Sequence, residues 1–404
     1  MVAREFLKSL GVSLWFMALT FPLVAVRVNT IENTIQWRWA NLVIVGVGAF
    51  VLSGVWRWAL ARRENTLANT ASSMGNRPAR IWDSPVFARV FGAALLVTFM
   101  VTPWLVSTYQ TNILISFFLY VMLGIGLNIV VGVAGLLFLG YAAFYAIGAY
   151  AYALLNHYFG WGFWTVLPIG GVLAAVAGVL LAFPVLRLRG DYLAIVTLGF
   201  GEIVRLVLEN WSDLTGGPSG ISNIDRPGLF GQEMTVAGTN IYIYYIVLVG
   251  ALLTFVVAER LKDSRVGRAL QALREDEVAC QAMGIDRVTV KLMAFGLGTA
   301  WAGFAGVIFA AKTTFINPAS FTFFESAIIL SIVVLGGMGS NWGVILGAAF
   351  LVLLPEYMRA FSEYRMILFA AAMVLMMVFR PQGIIPARSK QYRIVDPELE
   401  LSGE

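Results

Sequence analysis

The sequence predicts an all-α fold, a polytopic bundle of membrane helices, on three observations. Of its 404 residues, 59% are hydrophobic and 13% charged, about half the charged share of a soluble globular domain. No Asp, Glu, Lys or Arg stands between Arg89 and Arg187, and none occurs from Ser326 to Pro355. A bilayer core about 30 Å thick takes roughly 20 apolar residues per spanning helix, so these blanks hold several spans.

Taken along the chain, apolar windows place spans at 10–27, 39–60, 88–106, 112–131, 133–155, 163–186, 192–209, 241–258, 290–311, 326–339, 342–358 and 365–379. The first has basic residues ahead of its apolar run, as a signal peptide does, but no clear small-residue cleavage site, and it reads as a retained span. Some windows are short or broken by glycine, which sets the expectation at about ten to twelve transmembrane or re-entrant helices. Residues 1–86 read as a two-span extension ending in a flexible linker, "ENTLANTASSMGNRPARIWDSP" at 64–85. Residues 87–386 form the core bundle, and 387–404 a polar tail.

Lys and Arg gather at Arg4 and Lys8, from Arg57 to Arg89, at Arg187 and Arg189, from Lys262 to Lys291 and from Arg380 to Arg393. The positive-inside rule places all of these, with both termini, in the cytoplasm. The loops near 29–37, Gln110, His157, 210–240 and 313–324 then face the other side. His157, beside Tyr158 and Trp161, reads as part of an interfacial aromatic belt.

Little room is left for enzyme chemistry. One cysteine, Cys280, excludes an internal disulfide, and one histidine excludes a multi-histidine metal site. The chain has no Gly-Lys dipeptide and therefore no Walker loop to cradle nucleotide phosphates. Any ATP that drives this protein is bound by another polypeptide. "GLGTAWAG" at 296–303 mimics a dinucleotide fingerprint, but it lies inside an apolar span rather than after a strand.

Against this apolar background, residues 259–291 carry thirteen charges. Within them "ALREDEVACQAMGI", 272–285, sets Arg274, Glu275, Asp276 and Glu277 side by side. On a helical wheel Arg274, Glu277 and Gln281 share a polar stripe, Ala272, Ala279 and Met283 lie roughly opposite, and Gly284 stops the helix. One reading is a docking helix gripped by a soluble partner, with Ala279 and Cys280 small enough to let it close in. The other is a solvated helix resting on the membrane surface.

Two further patterns carry alternatives. Glu202 and Arg205 fall inside an otherwise apolar segment, three residues apart, where they can pair. They line a translocation path or form a structural ion pair that locks two helices. "VVGVAGLLFLGYAAFYAIGAY" (130–150) and "VVLGGMGSNWGVILGAAF" (333–350) each run apolar, break at glycines, and run apolar again. Gly132, Gly135, Gly336, Gly337 and Gly339 either break transporter helices within an internal repeat or merely let helices pack closely. "LTGGPSGIS" at 214–222 is a turn or loop on the outer side.

"GDYLAIVTLGFGEIVRL" (190–206), "TGGPSGIS" (215–222), "LREDEVACQAMGI" (273–285), "IVVLGGMGSNWGVILGA" (332–348) and "RPQGIIP" (380–386) together resemble the permease subunits of branched-chain amino acid ABC importers, the LivM type. The resemblance covers roughly 110–386 and implies an inner-membrane subunit that works by alternating access. It implies as partners a second related permease, two cytoplasmic ATPases that hold ATP and Mg, a periplasmic binding protein delivering leucine, isoleucine or valine, and the lipid bilayer, with no nucleic acid. No cofactor is then bound by this chain, which is not itself an enzyme. In such importers a cytoplasmic helix with an EAA-like pattern docks into the ATPase. Val278, Ala279 and Cys280 stand at those positions here and Gly284 at the following glycine, with the acidic residue, Glu277, one place early. Reversing Glu277 to Lys is expected to uncouple uptake while leaving the protein folded. A sister group of such permeases serves urea and short amides. A self-sufficient channel or secondary transporter is the alternative from another class, and it would need ionisable residues near the midplane beyond Glu202, Arg205 and the peripheral Glu325 and Glu356.

Overall fold

The computed structural model describes residues 26–29, 34–37, 99–186, 188, 190–228, 236–357, 370, 374 and 382–386. Most of the predicted spans at 10–27, 39–60, 88–106 and 365–379 lies outside the described residues, as do the linker and the polar tail. The chain divides into two compact units, 1–98 with 357–365 and 99–356 with 366–404. Within the first, the described part is a hairpin of β1 (Val26–Asn29) and β2 (Thr34–Trp37), antiparallel with Val26 opposite Trp37. Strand therefore replaces helix at the last two residues of the first predicted span, where β-branched residues alternate with polar ones.

The second unit is a helical bundle. A capping box opens α1 (Thr108–Asn128): the Ser107 hydroxyl accepts from the Gln110 amide and the Gln110 side chain accepts from the Ser107 amide. The helix continues through a π turn, Ile129–Val133. It is apolar on nearly every side, as a helix at the centre of a bundle is, and it packs against four others. The helices that follow it in the chain are α2 (Tyr141–Phe159), α3 (Phe163–Val185), α4 (Asp191–Asn210), α5 (Val236–Asp263), the short α6 (Arg265–Glu275) and α7 (Glu277–Ala282), then α8 (Arg287–Thr313), α9 (Phe323–Gly336) and α10 (Asn341–Ala348). Of these, α5, α8, α9 and α10 are the four that pack on α1. A second π turn, Ala349–Leu353, carries α10 on to Tyr357. Among the described residues, five helical segments are long and apolar enough to cross a membrane, the first being Thr108–Val133.

Glycine sets the closest approaches. A Cβ on Gly148 of α2 would stand 2.1 Å from the Gly303 carbonyl oxygen of α8, and one on Gly303 would stand 2.5 Å from the Gly170 oxygen of α3. Small residues let membrane helices come this near, so the glycines of "GLGTAWAG" serve packing.

Both glycine-rich segments break their helices. After the π turn the chain stays irregular through 134–140, so the span expected from residue 133 starts at Tyr141. Gly135, at φ +71°, turns it, and the Thr197 and Ser326 hydroxyls accept from the freed Leu139 and Ala142 amides. Between α9 and α10 the chain reverses at Gly337 (φ +117°) and Gly339 (φ +87°). Residues 382–386 of the "RPQGIIP" motif lie along this reversal, the Ile384 amide donating to Leu335 O at 2.9 Å and the Ile385 amide to Gly336 O at 3.0 Å.

At the far end of the bundle from α6 and α7, β3 (Ile221–Ser222) pairs antiparallel with β4 (Phe315–Ile316). The loop after "TGGPSGIS" is strapped to α2: the Asn156 amide donates to the Asp225 carboxylate at 2.9 Å, and the Tyr152 hydroxyl to Asp225 O at 2.7 Å.

Candidate functional site: a joint between the charged segment and the broken helices

The charged segment folds as two helices, not one. Asp276 adopts an extended conformation (φ −157°, ψ 115°) between α6 and α7, and its carboxylate caps α7 by accepting from the Val278 amide at 2.7 Å and the Ala279 amide at 3.0 Å. An acidic residue with free amides ahead of it favours such a cap over a continuous helix. The predicted stripe of Arg274, Glu277 and Gln281 is divided by this break. Gly284 (φ +80°) ends α7: its amide bonds to Gln281 O and the Ile285 amide to Cys280 O, the pairing of a Schellman stop.

Arg274 points back into the bundle. Its Nη1 donates to Gly132 O at 2.6 Å, a carbonyl in the π turn that ends α1. Its aliphatic stem lies on Gly135, where a Cβ would stand 2.7 Å from Arg274 Cγ. Both glycines of the first break thus make the seat for this side chain.

The second break meets the first at the same place. A Cβ on Gly132 would lie 2.3 Å from the Gly339 nitrogen. The fully buried Asn128 of α1 accepts from the Gly339 amide at 2.8 Å and donates to Asn341 Oδ1 at 2.9 Å. Asn341 donates onward to Glu259 Oε1 at 2.9 Å, and Lys262 approaches the same oxygen at 3.3 Å. This chain of bonds links α1, the α9–α10 reversal and the end of α5. Gly336 does not join it; it packs against Gly343 of α10, its Cβ position 2.3 Å from the Gly343 oxygen. Asn128, Asn341, Glu259 and Lys262 were not singled out from the sequence, although two amides in otherwise apolar runs are the signal that marks them.

Glu277 is also turned inward. Its Oε1 lies 2.7 Å from Nζ of Lys291, which is buried on the first turns of α8 and approaches Leu186 O at 3.4 Å. Glu277 is therefore an anchor of α7 to the bundle, and reversing it to Lys would set two ammonium groups together rather than test a free docking face. Cys280 is buried, so it does not form part of a surface on which a partner closes. Burial pushes its thiol pKa up, and the carboxylates of Asp276 and Glu277 add to the shift. The open face of α7 consists of Val278, 63% exposed, Met283, 81% exposed, and the exposed Ala279 and Gln281, with Glu275 at the end of α6.

Glu202 and Arg205 pair at 2.8 Å, and Arg205 also reaches Glu209 at 2.6 Å. All three lie on α4, so the pair does not lock two helices together; spacings of three and four satisfy it within one. Glu202 borders a narrow crevice with Gly140, Gly201, Phe321 and Ser326. Among the described residues no group of His, Cys, Asp and Glu has the makings of a metal site.

Fold and site define a membrane permease: a bundle of apolar helices, two of them broken, fastened to a charged helical segment that presents a free apolar face. The chain belongs to the family of the branched-chain amino acid transport system permease component, which matches residues 109–377. It is 46% identical to the high-affinity branched-chain amino acid transport system permease protein LivM of Escherichia coli K12, over 90% of this chain and 88% of the relative. To LivM of Salmonella typhimurium LT2 it is 50% identical, over 77% and 78%. A permease protein named LivH from Escherichia coli K12 is 25% identical over 66% of this chain and 91% of its own. No solved structure matches the chain.

Proposed function

We propose that the chain is the membrane subunit through which an ATP-driven importer passes leucine, isoleucine and valine into the cell. It works beside a second permease of the LivH kind, with two ATPases on the cytoplasmic side and a periplasmic protein that delivers the amino acid. ATP and Mg are held by the ATPases, and this chain catalyses no reaction of its own. The positive-inside distribution supports cytoplasmic termini and a cytoplasmic position for α6 and α7.

The observation that carries the mechanism is the seat of Arg274. ATPase movement against Val278, Ala279 and Met283 shifts α6 and α7 as one piece, since Asp276 caps one against the end of the other. Arg274 passes the shift to the π turn of α1, and the Asn128 network passes it to the α9–α10 reversal. Helices already broken at these points give alternating access by moving whole segments rather than by bending continuous ones.

The test is uptake of labelled leucine into proteoliposomes holding the whole importer and its binding protein. Uptake that needs internal ATP and is blocked by valine and isoleucine supports the proposal. Uptake that persists without ATP points to a channel or secondary carrier, and competition by urea alone moves the substrate to the amide class.

A further inference from the structure

Along α1, from the end away from α6, every fourth residue from Asn112 to Gly132 is polar or glycine: Asn112, Ser116, Tyr120, Gly124, Asn128 and Gly132. Rows at this spacing wind slowly around a helix and meet its neighbours in turn. The lower end of the row is the joint described above. The upper end holds two ionisable groups that the coupling mechanism does not use.

Lys312, in the last turn of α8, donates to Ser116 Oγ at 2.7 Å and approaches Asn112 O at 3.4 Å. Glu325, in the first turn of α9, accepts from the Tyr120 hydroxyl at 2.6 Å. Among the described residues neither forms an ion pair. The anchoring residues Ser116 and Tyr120 are one helical turn apart, about 6 Å along the axis. From Thr108, the row down to Tyr120 descends about 18 Å, inside a hydrocarbon core about 30 Å thick. All five side chains, Asn112, Ser116, Tyr120, Lys312 and Glu325, are half-buried rather than sealed in the core. A partly exposed cation and carboxylate at that depth would be costly against lipid, which favours a wet passage beside this strip.

We infer that Lys312 and Glu325 form a divided way-station for an α-amino acid zwitterion in transit, the ammonium of Lys312 receiving the substrate carboxylate and the carboxylate of Glu325 its ammonium. Opposite charges held one turn apart by neutral partners leave the counter-charge to the passing molecule, which carries one of each. The rings of Tyr145 on α2, Phe309 on α8 and Phe321 in the loop joining α8 to α9 are mutually in contact at 5.2 to 5.9 Å. Tyr145 and Phe321 are buried, and the half-buried Phe309 supplies an apolar contact for an aliphatic side chain without discriminating among branched ones. The inference rests on the amino-acid import reading and goes beyond it in naming the residues that meet the substrate.

Two measurements on the intact importer in proteoliposomes test it. Lys312→Gln and Glu325→Gln should each lower leucine moved per ATP hydrolysed about tenfold, the loss of one charge-assisted hydrogen bond, while Lys312→Arg keeps most of it. Ser116→Cys, placed in a Cys280→Ser background, should react with a membrane-impermeant thiol reagent from the binding-protein side, at rates that differ several-fold between nucleotide-free and ATP-trapped states. An unchanged transport ratio in both Gln variants overturns the inference. So does a Ser116→Cys thiol that stays unreactive in every state, which would seat the strip against the second permease. Where a Gln variant fails to assemble, the thiol measurement decides. Wild-type importer that moves no leucine would sink the import reading instead, and that control is run first.

Discussion

Arg274 and Gly132 stand 142 residues apart in the chain and are joined by one hydrogen bond of 2.6 Å between a guanidinium and a carbonyl freed by a π turn. The bond fastens the charged segment of α6 and α7 to the helix at the centre of the bundle. Hydrogen bonds to charged groups contribute about 1.5–3 kcal/mol, enough to hold two elements in step while the rest of the loop is solvated.

Arg274→Ala is expected to leave the protein inserted and the ATPases turning over, with leucine uptake per ATP falling about tenfold. Arg274→Lys should recover only part, because an ammonium on a flexible stem does not reproduce the planar fork. Paired measurement of ATP hydrolysis and uptake decides; equal losses in both would mean that the contact only stabilises the fold.

The Asn128 network makes a prediction about stability. Asn128→Leu leaves one side of the buried Asn341 and the half-buried Gly339 amide unsatisfied, at a cost of about 1–3 kcal/mol. Adding Asn341→Leu removes one of those orphans, so the double variant should lose less than the sum of the two singles. Thermal unfolding of the detergent-solubilised importer reads this out, and strict additivity would show that the two amides do not act through one another.

Glu277 and Lys291 should behave as a pair. Removing Glu277 strands the buried Lys291 ammonium, with an expected cost of about 3–5 kcal/mol. Removing Lys291 strands the half-buried Glu277 at a smaller cost, so Glu277→Gln and Lys291→Met both weaken the hold on α7. The exchange Glu277→Lys with Lys291→Glu restores much of it. If the exchanged protein is as weak as the single variants, the 2.7 Å contact is not what anchors α7.

How far these features were legible beforehand depends on the range of the interaction. Spans at 163–186 and 192–209 match α3 and α4 to within a residue because length and apolarity are local properties. The break near residue 132 was visible as glycines between spans ending at 131 and starting at 133, but its length through 140 was not, because the groups that satisfy its freed amides, Thr197 and Ser326, lie more than fifty residues further along the chain. The charged run was read as one helix since a wheel has no means of seeing a cap; Asp276 decided the matter by accepting two amides. Arg274 and Glu277 were both noticed and both placed on the polar stripe of one exposed helix, open to a partner or to solvent. Their partners, Gly132 and Lys291, come from other helices, and a single helix pattern carries no information about which of its charges will be claimed from behind.

The two sides of α7 should separate in thiol chemistry. The thiolate is the attacking species, and burial, helped by the carboxylates of Asp276 and Glu277, keeps the Cys280 thiol protonated above its ordinary pKa. Its alkylation should stay slow through neutral pH and climb only in alkaline solution. Because the folded pKa is raised, the protonated thiol favours the folded state at neutral pH, and this contribution is lost as pH rises through the folded value. Cysteines placed at Val278 or Met283 in a Cys280→Ser background occupy the exposed face and should react fast at pH 7 in the isolated membrane subunit. Assembly with the ATPases should protect both. Fast labelling of native Cys280 at neutral pH would contradict its burial, and cysteines at 278 and 283 that label equally well with and without the ATPases would remove α7 from the docking surface.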